Sequence, residues 1–499
     1  MKEDTNTKKT LINESPKDQE DPLKSETLFL KQPKESILNK DIIQIKSQEN
    51  NQTQNNISKS NDISQSSYYI LVSYCFMIFA SGYQWLSFNT LPFFSFYYEI
   101  TNWKLDFFAL IYVIEYIILF VPEMILIEKL TTKNLFRISA LCILVGSAIK
   151  VIIKEDKSLV ASYIGQIISG LSRPYLLMIS GKLTADWFKE NIRNFICTIC
   201  VLSDFTGILI GYIWNLAYIK KEENDIKVYK DHIYRYFLAE FILVFILCIP
   251  ALFLDESEPD KPSSPSRTKE FIKFNKESIK KLFSNVKYIL ILISMFFIGG
   301  YYYIISMKFA NFVAIYSLDK KKSDLVYSIS ITVGVISSLI ISYILDKYKK
   351  YKMCLIIISL FSTLCQIFLT FLLELVKSKD LNAYAICLLF YIFINASIII
   401  FYSNIINYIC EITYPIAEYI SIGFIIAMTQ IYNLCGHFLY KYILENNDKK
   451  YICNVLFTIF FGVSSACCLF YENKLERYEI DKKEENINLN EGKVIPLKK

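Results

Sequence analysis

Histidine is nearly missing from this 499-residue chain, which holds only His232 and His437. No HExxH, GxSxG or phosphate-loop motif occurs, and no Asp/His cluster has metal-ligand spacing, so no catalytic constellation marks an enzyme. Glycine and proline are sparse, at 14 and 12 residues. The first 66 residues contain no apolar stretch long enough for a signal peptide; polar runs such as "SQENNQTQNNISKSNDISQSS" read as a disordered tail. The net charge of +6 is small and spread over tails and loops, which gives no footprint for a nucleic-acid partner.

What the chain has in quantity is apolar surface, at 53% hydrophobic and 15% aromatic residues. A run of about 18 or more apolar residues crosses a hydrocarbon core of roughly 30 Å. Twelve such runs are expected, near 67–90, 106–127, 134–153, 159–182, 195–215, 233–254, 287–312, 324–345, 353–375, 382–409, 417–441 and 451–471. The fold class is therefore all-α integral membrane, with twelve transmembrane helices in two six-helix bundles embedded in a lipid bilayer.

The Pro/Ser-containing "DESEPDKPSSPS" divides the runs six and six. The expected domains are a tail (1–66), an N-terminal bundle (67–254), a cytoplasmic linker (255–286), a C-terminal bundle (287–471) and a second tail (472–499). The strongly basic linker places both termini in the cytoplasm by the positive-inside rule, which leaves the sequons at Asn51 and Asn56 unglycosylated. The tails carry no receptor-read address, so the plasma membrane and an internal organelle membrane stay equally open. Most of the 13 cysteines lie in apolar runs, where Cys acts as a small hydrophobe. The CxxC of Cys197 and Cys200 lacks the βαβ context of a redox motif. No cofactor is implied.

The two halves carry a faint internal echo. The end of span two reads "LIEKLTTKNLF", with Glu128, Lys129 and Lys133, and the end of span eight reads "ILDKYKKYKMC", with Asp346, Lys347, Lys350 and Lys352.

Four longer stretches carry a family resemblance: "FASGYQWLSFNTLPFFSFYY", "YVIEYIILFVPEMILIEKL", "GQIISGLSRPYLLMISGKLTADWF" and "EITYPIAEYISIGFIIAMTQIYNLCG". The most specific pieces are "YQW" (Tyr83 to Trp85) and "EITYP" (Glu411 to Pro415), followed fifteen residues later by Gln430. Together they resemble the feline leukaemia virus subgroup C receptor-related family of the major facilitator superfamily, in order from Tyr68 to Tyr471. The resemblance implies a carrier, usually monomeric, that works by alternating access around a mid-depth site. Choline, ethanolamine and haem are the solutes associated with that family.

Carried over residue by residue, the resemblance puts Trp85, with Gln84 beside it, Tyr302 and Gln430 around the solute. A shift of one residue exchanges Tyr302 for Tyr301 or Tyr303. Such residue types suit an ammonium group, which is attracted to Trp and Tyr ring faces, although Trp and Tyr also anchor helices at interfaces. Gln166 reads as a helix-to-helix hydrogen bond. For haem the chain offers one candidate axial ligand, His437, so an ammonium-bearing solute ranks above it; another polar, amino-acid-like metabolite carried with proton coupling is a further alternative, and a non-transporting membrane receptor a remote one.

Charge is where the sequence departs from the family: Arg173 stands where relatives carry glutamine and Asp204 where they carry asparagine. Ionised side chains at mid-bilayer face a wet cavity or each other. Each of the two lies about nine residues, roughly 13 Å at 1.5 Å per residue, from the same face, so adjacent antiparallel helices can pair them. They form either a structural pair or one that also touches solute or a coupling proton. Glu115 in "YVIEYIILF" is the candidate titrating group, and Lys308 either snorkels or faces the cavity. On this reading Glu115→Gln removes the dependence of uptake on a pH gradient, and an unchanged dependence would sink the coupling role.

Overall fold

In hydrocarbon every backbone amide and carbonyl has to find its partner within the chain, and for long apolar runs the helix is the solution. The computed structural model describes residues 65–88, 94, 98–152, 159–218, 226–255, 258–259, 263–269, 271–314, 320–376, 381–445 and 450–490. The expectations for the first 64 residues, including both sequons, lie outside this set. Helices α1 (Gln65–Trp85), α2 (Asn102–Lys129), α3 (Thr132–Val151), α4 (Leu159–Gly170), α5 (Arg173–Trp187), α6 (Arg193–Tyr218) and α7 (Ile226–Leu252) form the first half. After α8 (Lys276–Ser284) come α9 (Val286–Ala314), α10 (Lys320–Tyr348), α11 (Tyr351–Val376), α12 (Leu381–Ile412), α13 (Glu418–Glu445), α14 (Lys450–Leu469) and α15 (Glu476–Asn490).

Among the described residues, ten helices are long and apolar enough to cross a membrane singly. The two remaining spans are α1 and the pair α4 and α5. Span four, expected as one helix, is broken after Gly170 and restarts at Arg173. Pro174 explains the restart: lacking an N–H, proline fits the first turn of a helix and disrupts an interior.

Packing repeats at an interval of six spans. In the first half α1 runs along α6 and α7, and α3 along α4 and α7; in the second, α9 runs along α13 and α14, and α11 along α12 and α14. Between the halves α6 lies along α10 and α12, while α2 and α5 lie along α13. The α6–α10 and α2–α13 contacts exchange under the same repeat. The two six-helix bundles thus share one packing arrangement.

Small residues set the closest approach, as they do where lipid offers no hydrophobic drive between helices. A Cβ added to Gly82 of α1 would lie 2.5 Å from the carbonyl oxygen of Asp204, and one on Gly207 of α6 would collide with the carbonyl of Phe79.

One face carries α8, α15 and the turn Pro265–Thr268, and is called here the linker face. There Arg193 pairs with Glu411 and with Asp481 of α15, each at 3.5 Å, while Arg477 pairs with Glu418 at 2.8 Å. Arg267 of the linker joins Asp186 of the first half (2.5 Å) to Glu418 of the second (3.2 Å). Burial alone would lower the pKa of Arg477, but Glu418 and Glu411 hold it above its ordinary value. The segment after span twelve is therefore built into the fold by buried charge. Gly207→Ala is expected to overpack the α1–α6 seam and to cost about 1–3 kcal/mol, seen as a lower thermal midpoint of the detergent-solubilised protein; an unchanged midpoint would contradict that seam.

A candidate solute site between two closures

Restarting span four at Arg173 puts a guanidinium at the head of α5, facing α1 and α6. Its two terminal nitrogens donate to the two carboxylate oxygens of Asp204, each at 2.9 Å, and one also reaches the Ser81 hydroxyl at 3.4 Å. The pairing expected from matched depth is thus present, in the bidentate form that best repays desolvation. Both side chains are buried, and Asp204 lines a small cavity between the halves together with Tyr74, Phe205, Tyr402, Ile406 and Ile426.

Trp85 is 1% exposed, which settles its place inside the protein and not at a lipid interface. Its indole N–H donates to the carbonyl of Ala109 (3.1 Å), fixing the ring. The guanidinium carbon of Arg173 stands 5.2 Å from the centre of that ring and 6.0 Å from the ring of Tyr112. Of the three consecutive tyrosines it is Tyr303 that meets Trp85, edge to face at 5.4 Å. The Tyr303 hydroxyl contacts that of Tyr402 at 3.2 Å and lies beside Gln430. Tyr302 packs on Phe205 at 4.7 Å and borders Tyr327, and Tyr301 turns away to Phe457 and Phe461 of α14. Three successive helical residues point about 100° apart, so only one can share a face with Trp85.

The remaining sequence candidates fall outside this wall. Gln84 borders Glu240, which forms a fully buried pair with Lys150 at 3.2 Å between α3 and α7. Gln166 donates to the carbonyls of Gln84, Trp85 and Phe108, each at 3.3 Å, and so ties down the end of α1. The Glu115 carboxylate fills the space left by the missing side chain of Gly170, beside the break in span four, and accepts no hydrogen bond from the described residues.

Both ends of the interface are closed. Away from the linker face, Lys308 of α9 donates to Asp106 of α2, and His437 of α13 approaches the same carboxylate at 3.8 Å. Lys308 therefore reaches across the halves, and His437, the candidate iron ligand, faces a carboxylate. At the linker face, Asp346 accepts from the amides of Asn194 (3.2 Å) and Phe195 (2.6 Å) at the start of α6, whose positive end suits a carboxylate. Glu128, its counterpart in the other half, accepts at 2.5 Å from both the Tyr419 hydroxyl at the start of α13 and the Phe274 amide. The acids of the sequence echo are thus two inter-half contacts related by the repeat. Glu411 of "EITYP" also belongs to this closure, pairing with Arg193 and accepting from the Tyr478 amide at 3.0 Å.

Sequence reasoning missed Tyr402, Glu240 and Asp106. Glu240 and Asp106 had a signal, being acids within or at the edge of an apolar run. Tyr402 had none among 36 tyrosines.

Two six-helix bundles that meet over a small shared cavity define a multi-pass membrane transporter. Residues 70–428 match the model of the Major Facilitator Superfamily, and the chain belongs to that family. It is 24% identical over 420 residues to an uncharacterized MFS-type transporter, C09D4.1, of Caenorhabditis elegans, covering 82% of this chain and 69% of that one. It is 20% identical over 426 residues to the choline/ethanolamine transporter FLVCR2 of Homo sapiens (83% and 78% covered), and 20% over 450 residues to flvcr2a of Danio rerio (86% and 92%). The sequence resemblance is upheld by these relatives. The fold matches FucP in its outward conformation, with a TM-score of 0.62 at 14% identity over 81% of this chain and 99% of that one. It also matches the proton:xylose symporter XylE bound to 6-bromo-6-deoxy-D-glucose, with a TM-score of 0.61 at 14% identity (83% and 98%).

Removing one member of a buried pair strands the other, at a cost of about 3–5 kcal/mol. Asp204→Asn alone is expected to destabilise by that amount, and Arg173→Gln combined with Asp204→Asn by much less. A thermal-unfolding double-mutant cycle checks this, and additive losses would contradict a direct pair.

Proposed function

We propose that the protein carries a small organic solute bearing an ammonium group, of the choline and ethanolamine kind, by rocking one bundle against the other about the central cavity. The observation that carries this reading is the aromatic wall of Trp85, Tyr303 and Tyr402 with Gln430 beside it. Ring faces attract organic cations by about 2 kcal/mol or more once water is excluded, and relatives named as choline/ethanolamine transporters lend support. In this reading Arg173 and Asp204 set charge selectivity, and Tyr302 backs the wall through Phe205. The linker face is cytoplasmic, in keeping with its basic linker. The carrier works as a monomer, and a proton is the coupling ion, with Glu115 as the group that takes it up.

Uptake of labelled choline and ethanolamine by proteoliposomes, with and without a pH gradient, tests the reading. Trp85→Ala is expected to weaken affinity for the transported ammonium solute about 30-fold, the equivalent of about 2 kcal/mol. Affinity unaffected by that substitution would remove the aromatic wall from the solute site.

A further inference from the structure

The cation position over Trp85 is already taken. Arg173 holds its guanidinium 5.2 Å from the ring centre, and Asp204 neutralises it through two hydrogen bonds of 2.9 Å. Among the described residues no other ion pair involves either side chain. The site therefore holds one positive and one negative charge in direct contact, at the edge of the cavity that Asp204 lines.

A solute carrying a single positive charge meets two obstacles here. It has to compete with a tethered guanidinium for the ring face, and it leaves the buried site with an uncompensated charge, which a dehydrated interior penalises heavily. A solute carrying both charges meets neither. Its anionic group can replace Asp204 on the planar fork of Arg173, which matches a carboxylate bidentately. As the guanidinium turns to follow that carboxylate, the ammonium can take its former place on Asp204, against the rings of Trp85 and Tyr303. One ion pair becomes two, and every charge keeps a partner.

Resting on the reading of an ammonium-bearing solute, we infer that the solute is a net-neutral zwitterion, an ammonium joined to a carboxylate, recognised by insertion between Arg173 and Asp204. Because the two side chains start in contact, the two charges of the solute are separated by a short spacer of about one to three carbons, the reach of two hydrogen bonds placed side by side.

Two matched pairs of probes decide the matter, since within each pair a hydroxymethyl group is replaced by a carboxylate: choline against glycine betaine, and ethanolamine against glycine. Equilibrium binding to the detergent-solubilised full chain avoids differences in electrical driving force. The expected result is at least tenfold tighter binding of the carboxylated member of one pair. Arg173→Gln with Asp204→Asn should abolish that preference, whereas Arg173→Lys with Asp204→Glu, which keeps both charges but not the fork, should retain its direction at reduced size; if the neutral variant does not fold, the wild-type comparison decides alone. Choline and ethanolamine binding as tightly as their carboxylated partners would overturn the inference and leave the ammonium reading standing. Binding of none of the four probes would overturn both.

Discussion

An ionised group in hydrocarbon has to be met by another charge or by water, and in this chain that rule organises the first bundle and its contact with the second. Lys150 with Glu240 is sealed between α3 and α7, Arg173 with Asp204 bridges α5 and α6, and Lys308 with Asp106 joins the two halves. These pairs grade from the interior of one bundle, through the edge of the central cavity, to the closure itself. Their placement distinguishes what composition cannot: the first has no exposure at all, the second borders the cavity, and the third crosses between the halves.

Much of the fold was legible because its main signal is length. An apolar run of twenty residues reads the same whatever it packs against, so the spans could be placed from sequence. Facing is another matter. In "GGYYY" the three tyrosines are chemically identical, and which of them meets Trp85 depends on the rotation of α9, fixed by neighbours far away in sequence. The Arg173–Asp204 pair was legible because depth in a membrane is a one-dimensional coordinate that residue counting supplies. The break before Arg173 was visible in Pro174, yet reading a continuous run of apolar residues hides it.

One of the two motifs most specific to the family resemblance lies away from the solute cavity. "EITYP" sits at the linker face, where Glu411 holds Arg193 and the Tyr414 hydroxyl donates to the carbonyl of Ser266 at 3.2 Å. Constraints on a carrier fall as heavily on the surfaces that close and reopen as on the residues that touch solute, because closure demands the same atoms meet after every cycle. Sequence specificity therefore points to a hinge or seal as readily as to a pocket.

Glu128 and Asp346 hold equivalent helix starts, one on each side of the approximate twofold axis between the halves. The two grips differ in kind: Asp346 binds two backbone amides, which any sequence supplies, whereas Glu128 depends on the hydroxyl of Tyr419 and on the linker amide of Phe274. A change of side chain at position 419 can therefore weaken one grip, while the other is indifferent to the side chains at 194 and 195 and answers only to a shift of the α6 backbone.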